Sequence, residues 1–100
     1  MIRGTTPTHT FQIPFNTNLL KEIRISYAQK DVVVVEKTTE DCKLDGMNIT
    51  VKLTQEETLR FSENVMAALQ LRVLLNDGNV LATPVMRLDV GELLQDEVIQ

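Results

Sequence analysis

In residues 65–90, apolar side chains alternate with a mixed, mostly polar set on both sides of an Asp77-Gly78 pair. This pattern constrains the fold more than any other feature. An Asp-Gly pair between two alternating runs is a strong β-hairpin signal, because a tight two-residue turn needs positive φ angles. If these two residues form the turn, the numbers of each facing pair add up to 155. One face is then entirely apolar, with these pairs: Leu75 with Val80, Val73 with Ala82, Leu71 with Pro84, Leu69 with Met86, Ala67 with Leu88 and Val65 with Val90.

The opposite face of this hairpin is mixed and mostly polar, although it contains Leu74, Leu81 and Val85. A slip of one residue would turn the whole apolar set to the other side, so the register is well specified. Pro84 lacks the N–H group that a central strand needs, which predicts a sheet edge or a bulge at this position. We therefore expect regular pairing near the turn and less regular pairing beyond Thr83.

Earlier segments also have the pattern of β-strands. Residues 9–15 alternate with a period of two, and Pro14 predicts that this strand lies at a sheet edge or ends there. Residues 19–27 form a second alternating run, and the four valines at 32–35 indicate a strand covered on both faces or near the middle of a sheet. A second Asp-Gly pair, Asp45-Gly46, predicts a smaller hairpin whose facing numbers add up to 91, with these pairs: Leu44 with Met47, Cys42 with Ile49 and Glu40 with Val51.

Helical signals are short. Thr54 and Glu57 have the spacing of a capping box, which predicts one or two helical turns between sheets. Residues 90–100 form either a short amphipathic helix or a loosely held tail, and residues 1–8 form a flexible arm. About seven strands with turns every 8 to 12 residues are typical of an antiparallel β-sandwich. We predict one all-β domain over residues 1–100, an antiparallel sandwich of about seven strands with one short helical turn.

Composition excludes several classes of function. The chain has 100 residues, of which 43% are hydrophobic and 24% charged, as in a single globular domain. Its net charge of −4 and scattered basic residues argue against a nucleic-acid surface, which needs clustered lysine and arginine. Residues 1–20 contain no unbroken apolar run, so we expect neither a signal peptide nor a membrane span. The chain is expected to be cytoplasmic or to enter an assembly that bypasses secretion.

Few residues could support chemistry. His9 is the only histidine and has no acidic or cysteine partner close after it in the sequence, so we interpret it as a strand-end or surface residue rather than a base or metal ligand. Cys42 lies on the apolar side of the small hairpin and is interpreted as a buried, inert thiol rather than a reactive one. Glu56 and Glu57 are neighbours in a helical turn, where adjacent side chains diverge, and capping explains them better than catalysis.

The acidic residues between positions 36 and 45 also suggest a calcium site, but their spacing does not match a calcium-binding loop and a solvated acidic loop is the simpler interpretation. Motifs for phosphate binding, nucleophilic hydrolysis, zinc proteolysis and redox cysteines are all absent. We therefore predict no catalytic residue, no cofactor and no metal, and we do not expect an enzyme.

Protein binding is the remaining class of function. Leu74, Leu81 and Val85 place apolar groups on the mixed face of the main hairpin, where either a partner protein or another segment of this chain would cover them. Leu94 and Val98 recur in the acidic C-terminal segment and are further candidates for an interface. Edge strands and the two terminal segments also offer assembly by strand addition or arm exchange.

The order of these segments resembles that of a known group of proteins. The residues that carry the resemblance are Thr-x-Thr-Phe-x-Ile-Pro-Phe at 8–15, Ile-Arg-Ile-Ser-Tyr-Ala-Gln at 23–29, Val-Val-Val-Glu-Lys at 33–37, Ile-Thr-Val-Lys-Leu-Thr-Gln-Glu-Glu-Thr at 49–58, Gln-Leu-Arg-Val at 70–73 and Val-Gly-Glu-Leu-Leu at 90–94. The chain resembles small structural proteins of phages and prophages of Gram-positive bacteria. It is more distantly similar to the Ig-like N-terminal domain of phage baseplate upper proteins.

This resemblance implies an Ig-like sandwich that serves as a non-enzymatic virion or virion-assembly component and is present in many copies, in the tail, the baseplate or the head decoration. The implied partners are other virion proteins or copies of the chain itself, in a homo-oligomer or multi-copy assembly. From the charge and the lack of an apolar span we expect no nucleic acid and no membrane as partner. The implied location is the phage particle, after synthesis in the host cytoplasm. The alternative is a soluble regulatory module that binds another protein and is not incorporated in the particle.

Overall fold

Eight β-strands form two antiparallel sheets in the computed structural model, which describes residues 1–100. The small sheet has the order β1-β5-β4, from the strands β1 (Thr8–Gln12), β4 (Cys42–Asp45) and β5 (Asn48–Lys52). The large sheet has the order β3-β2-β6-β7, with an eighth strand also paired to β6, from the strands β2 (Leu20–Gln29), β3 (Val32–Thr38), β6 (Ala67–Leu75), β7 (Val80–Ala82) and β8 (Met86–Leu88). The predicted all-β sandwich is confirmed.

The core lies between the two sheets and contains fifteen buried apolar residues, which are Phe11, Ile13, Ile23, Ile25, Tyr27, Val35, Ile49, Val51, Leu53, Phe61, Ala67, Leu69, Leu71, Val73 and Val90. Most of them follow the period of two along their strands, as expected of sheets with one buried face. Strand β1 lies at the edge of the small sheet and ends before Pro14, as the sequence predicted.

Near its turn, the main hairpin has a different register from the predicted one. The loop has three residues, 76–78, with Gly78 at φ 93°, and Leu75 N–H donates to Asn79 O at 2.8 Å. This is the three-residue hairpin loop that ends in a residue of left-handed conformation. The facing numbers add up to 154, because Leu74 faces Val80 and Val73 faces Leu81. The predicted pairs next to the turn are therefore wrong, and Leu81 lies on the same face as Val73 rather than Leu74.

Beyond Pro84 the predicted register returns, because Leu69 faces Met86 and Ala67 faces Leu88. Thr83 N–H donates to Leu71 O at 2.9 Å, so one extra residue lies in the second arm between Thr83 and Met86. The predicted bulge at Pro84 is confirmed, and it divides the arm into β7 and β8, which is why eight strands are present rather than seven. We expected the predicted pairs to hold near the turn and to fail beyond Thr83. The opposite is observed, because the pairs agree with the prediction beyond the bulge and differ from it near the turn.

The smaller hairpin is also shifted, but by two residues. Its loop is Gly46-Met47, and only Gly46 has a positive φ, 58°, as in a type II′ turn. Leu44 faces Ile49 and Cys42 faces Val51, so the predicted partners are wrong. A shift of two keeps every side chain on its predicted face, because side chains alternate with a period of two.

The valine run at 32–35 was predicted to lie in a covered or central strand, and this is wrong. Strand β3 is at the edge of the large sheet, and Val33 is 55% exposed. A tight turn with positive φ at Lys30 and Asp31 leads into it, and a bulge opposite Tyr27 and Ala28 disturbs its first residues. Four branched side chains favour a strand whatever its position, so the run could not reveal that only Val35 would be buried.

The two terminal segments lie against each other. Gly91 N–H donates to Met1 O at 2.7 Å, and the Arg3 guanidinium donates to Leu59 O and Phe61 O at 3.1 and 2.6 Å. Residues 1–8 therefore pack along the body instead of projecting as the expected arm. Residues 90–100 contain no helix, so of the two alternatives the tail is the one observed.

The predicted capping box is confirmed at α1 (Gln55–Leu59), the one α-helix of the structure. Thr54 Oγ1 accepts from Glu57 N–H at 3.1 Å, and Thr54 N–H donates to Glu57 Oε1 at 2.8 Å. No helix in the structure has both the length and the apolar character that a membrane span requires.

Candidate protein-interaction surface

The face of the large sheet that points away from the small sheet is the main candidate surface and is called the outer face below. Its residues alternate along β2 and β6 with the buried ones, so the period that builds the core also determines this face. It includes Glu22, Arg24, Ser26 and Ala28 from β2, and Ala68, Gln70, Arg72 and Leu74 from β6.

Charges on the outer face are unevenly compensated. Arg24 forms ion pairs with Glu22 at 2.9 Å and Glu36 at 3.4 Å, and these hydrogen-bonded carboxylates raise the pKa of Arg24. Arg72 stands directly opposite Arg24 in the β2–β6 register, and neither Arg72 nor Arg87 has a carboxylate within 4.0 Å. Like charges in directly facing positions destabilise a sheet. The outer face therefore carries two arginines without an acidic partner.

A groove of about 500 Å³ crosses the outer face beside these arginines. Small side chains of Ser26, Ala28 and Ala68 lie at its floor, and the exposed valines Val33 and Val85 lie at opposite sides. Val33 is 55% exposed and Val85 is 48% exposed. The lining of the groove carries two arginines, Arg72 and Arg87, and one acidic residue, Asp31, which lies in no ion pair with them. The groove thus combines exposed valines, a floor of small residues and an excess of positive charge, and it is called the trough below.

A second, apolar cleft of about 270 Å³ opens between the segment that follows β1 and the strands β6 and β7. It is lined by Ile13, Pro14, Phe15, Leu71, Val73, Leu81, Ala82 and Thr83. Leu81 was predicted on the same face as Leu74 and is found here instead, because the register shift near the turn places it on the side of the core.

The structure does not bring the predicted interface residues together in one place. Leu74 and Val85 lie on the outer face, at two neighbouring hollows. Leu94 and Val98 lie in the C-terminal tail, where Leu94 is 96% exposed and Val98 is half-buried. The sequence register places Arg72 and Arg87 on the mixed face of the hairpin, where the structure has them, although they were not among the predicted interface residues. Sequence reasoning missed Val33, since its position depends on which strands pair.

Comparison of the chain with family models, curated proteins and solved structures gives no match. The chemistry of the surface is therefore argued from the residues of this chain alone.

His9 is half-buried and has a partner that the sequence did not indicate. Its Nδ1 lies 2.6 Å from Tyr27 Oη, which links β1 of the small sheet with β2 of the large one. Burial, together with the positive N-terminus, lowers the pKa of His9, and burial raises the pKa of Tyr27 well above its usual range. Both groups are thus neutral near pH 7, and the hydrogen bond joins the sheets.

The other residues considered as candidates for chemistry are either bonded to other groups of the chain or lie apart from one another. Cys42 is half-buried with Sγ 3.4 Å from Thr38 O, and burial followed by the Asp41 charge raises the pKa of its thiol, which favours the unreactive form. Glu57 caps α1 and pairs with Lys37 at 2.7 Å, while Glu56 is exposed. No group of three histidine, cysteine or acidic residues is arranged to hold a metal ion.

Proposed function

We propose that this protein is a non-enzymatic structural or assembly component of a phage particle, in the tail, the baseplate or the head decoration, and that it acts through protein–protein contacts. The observation that carries the protein-binding part is the outer face of the large sheet. An exposed apolar rim of Val33 and Val85 beside two uncompensated arginines is suited to a protein partner. The phage assignment is supported by the resemblance of the strand segments.

The groups that could support catalysis are engaged elsewhere, which favours a binding role over an enzymatic one. His9 is bonded to Tyr27, Glu57 is bonded to Lys37, and Cys42 lies beside a backbone carbonyl. None of these groups faces the trough or the apolar cleft. A reaction would need a nucleophile or base with an orienting partner in a concave site.

Quantitative mass spectrometry of purified particles from the source phage tests this proposal. We expect peptides of this chain in fixed proportion to the known virion proteins, and retained after density-gradient purification. A protein that is made during infection but remains in the soluble fraction, bound to a host or phage protein, would contradict the proposal and support the regulatory alternative.

A further inference from the structure

The C-terminal tail forms a second surface, and its net charge is opposite in sign to that of the trough. Leu94 is 96% exposed and Ile99 is 80% exposed, so both apolar side chains project into solvent. Glu92 and Glu97 are exposed and take part in no ion pair. Residues 92–99 are called the acidic ridge below.

The acidic ridge is held against its own molecule, so it is presented without any rearrangement. The backbone N–H and C=O of Ile99 bond to the Gln55 side chain at 2.9 and 2.7 Å, and Asp96 accepts from Arg3 at 3.4 Å. Leu93 N–H donates to Glu63 at 3.3 Å. These contacts use the backbone and Asp96, which leaves Glu92, Leu94 and Glu97 free to face a second molecule.

We propose that the acidic ridge of one copy docks in the trough of a second copy, so that copies associate head to tail. Arg72 and Arg87 would pair with Glu92 and Glu97, which are likewise unpaired within the monomer. The two arginines outweigh Asp31, the one acidic residue in the lining of the trough. Complementary charges of this kind guide association and determine its register.

Shape favours the same occupant. The trough crosses four neighbouring strands, β3, β2, β6 and β8, with Val33 on the first and Val85 next to the last. Three spacings of about 4.8 Å make it about 14 Å wide, enough for one extended segment with its side chains. Two troughs placed face to face would leave their floors of small residues uncovered, whereas a ridge fills the floor. Leu94 would then be covered by the valines of the rim.

Ridge and trough are different surfaces, so the contact is heterologous and one copy can bind two neighbours. Such contacts produce rings or open filaments according to the rotation between copies. The inference deepens the proposed function, on which it rests for its biological setting, because it names a second copy as partner and gives the multi-copy arrangement that a particle component needs.

Sedimentation velocity of the full-length chain over a wide concentration range tests the inference with charge reversals. The trough variant is Arg72→Glu with Arg87→Glu, and the ridge variant is Glu92→Lys with Glu97→Lys. We expect the natural chain to associate and each variant alone to need at least about tenfold higher concentration. An equimolar mixture of the two variants should associate again, because each acidic trough then meets a basic ridge and each natural ridge meets a natural trough.

Matched controls separate docking from folding. Lys43→Glu with Lys52→Glu reverses two charges on the exposed face of the small sheet and should leave association unchanged. Leu94→Ala should weaken association without lowering the melting temperature. Circular dichroism on every variant establishes that the sandwich is folded.

Three results would overturn the inference: a natural chain that is monomeric at all concentrations, a mixture that does not associate, or a trough variant that weakens association while the ridge variant does not. The last result would identify a face-to-face pairing of outer faces as the true contact. Particle mass spectrometry is independent of these outcomes, so a monomeric chain found in particles would reject the ridge contact alone.

Discussion

The two Asp-Gly hairpins of this protein differ in a way that neither sequence pattern displays. In the small hairpin the glycine opens a two-residue loop, and in the main hairpin it closes a three-residue loop. The two-residue loop shifts the predicted register by two, so every side chain stays on its predicted face. The three-residue loop shifts the register by one, so the side chains of β7 lie on the face opposite to the predicted one. Loop length, rather than the glycine itself, therefore decides which side chains line the core.

Each hairpin is anchored through one buried arm. The main hairpin is held by the apolar face of β6, with Ala67, Leu69, Leu71 and Val73 all buried, and the small hairpin is held by Ile49 and Val51 of β5. Hydrogen bonds fix both turns from outside, since the N–H and the hydroxyl of Thr17 donate to Gly46 O at 2.8 Å and Asn76 N–H donates to Leu19 O at 2.9 Å. The arms within each hairpin therefore differ in burial more than the two hairpins do, because the second arm of the main hairpin and Leu44 of β4 are exposed.

The largest expected effect tests this difference between buried and exposed arms. Leu71→Ala should lower the free energy of unfolding by about 2–5 kcal/mol, because it leaves a cavity among fully buried side chains. Leu44→Ala, a truncation in the exposed arm of the small hairpin, should cost less than about 1 kcal/mol because its side chain is already partly hydrated. Urea titration of both variants measures the two losses, and equal losses would refute the difference in burial between the arms.

Substitution of the two turn glycines sharpens the comparison further. Gly78→Val and Gly46→Val should each lower the free energy of unfolding by about 1–3 kcal/mol, since both glycines have positive φ and a branched residue resists it. Apart from the adjacent residues of the chain, no atom lies within 4 Å of a Cβ added at either position, so the loss is conformational and does not come from a clash with the rest of the fold. Gly78→Asn should cost much less, because asparagine tolerates this conformation. Thermal unfolding compares the three, and similar losses for valine and asparagine would contradict the conformational explanation.

The inward face of β6 could be predicted because period-two alternation is a local property of the sequence. The loop length could not, since Asp77-Gly78 fits both a two-residue turn and the end of a three-residue loop. Pro84 was informative because a missing N–H group restricts any strand, and a bulge is observed there. The pattern thus predicts faces well and exact partners poorly.

Features that depend on non-local pairing were missed. The His9–Tyr27 hydrogen bond and the Arg24–Arg72 pair each join strands that are distant in the sequence, so no spacing rule identifies them. The valines of β3 predicted a strand but not its edge position, which depends on what lies beside it. For the candidate surface, Val85 and Leu74 were predicted on the right face, whereas Leu81 changed sides with the register.

A smaller effect concerns the helix that follows the small hairpin and ties it to β3 of the large sheet. Burial favours the neutral form of Glu57, but the hydrogen bonds from Lys37 Nζ and Thr54 N–H outweigh it, so the pKa of Glu57 is lowered. A lowered carboxyl pKa contributes stability above the pKa of the unfolded chain, and this contribution is lost as the pH falls through the folded value.

Glu57→Gln should therefore cost about 1–2 kcal/mol at pH 7, where a hydrogen bond to a charged group is lost. The difference from the natural chain should shrink below about pH 4, near the ordinary pKa of glutamate. Chemical unfolding at several pH values measures this change. A loss that stays constant down to pH 3 would show that the side chain acts through packing and capping, not through its charge.

The smallest expected effect concerns the polar anchor of the small turn. Thr17→Val keeps the shape of this buried side chain and removes only the hydroxyl that donates to Gly46 O. Because Thr17 N–H still donates to the same oxygen, the loss of unfolding free energy should be about 0.5–1.5 kcal/mol. Asn79→Ala is the matched change at the main turn, where the side chain bonds only to the neighbouring Asp77, and it should cost still less. Hydrogen exchange at Asp45 and Asn48 should quicken in Thr17→Val and stay unchanged in Asn79→Ala, because only the first substitution removes a hydrogen bond between its turn and the rest of the sandwich.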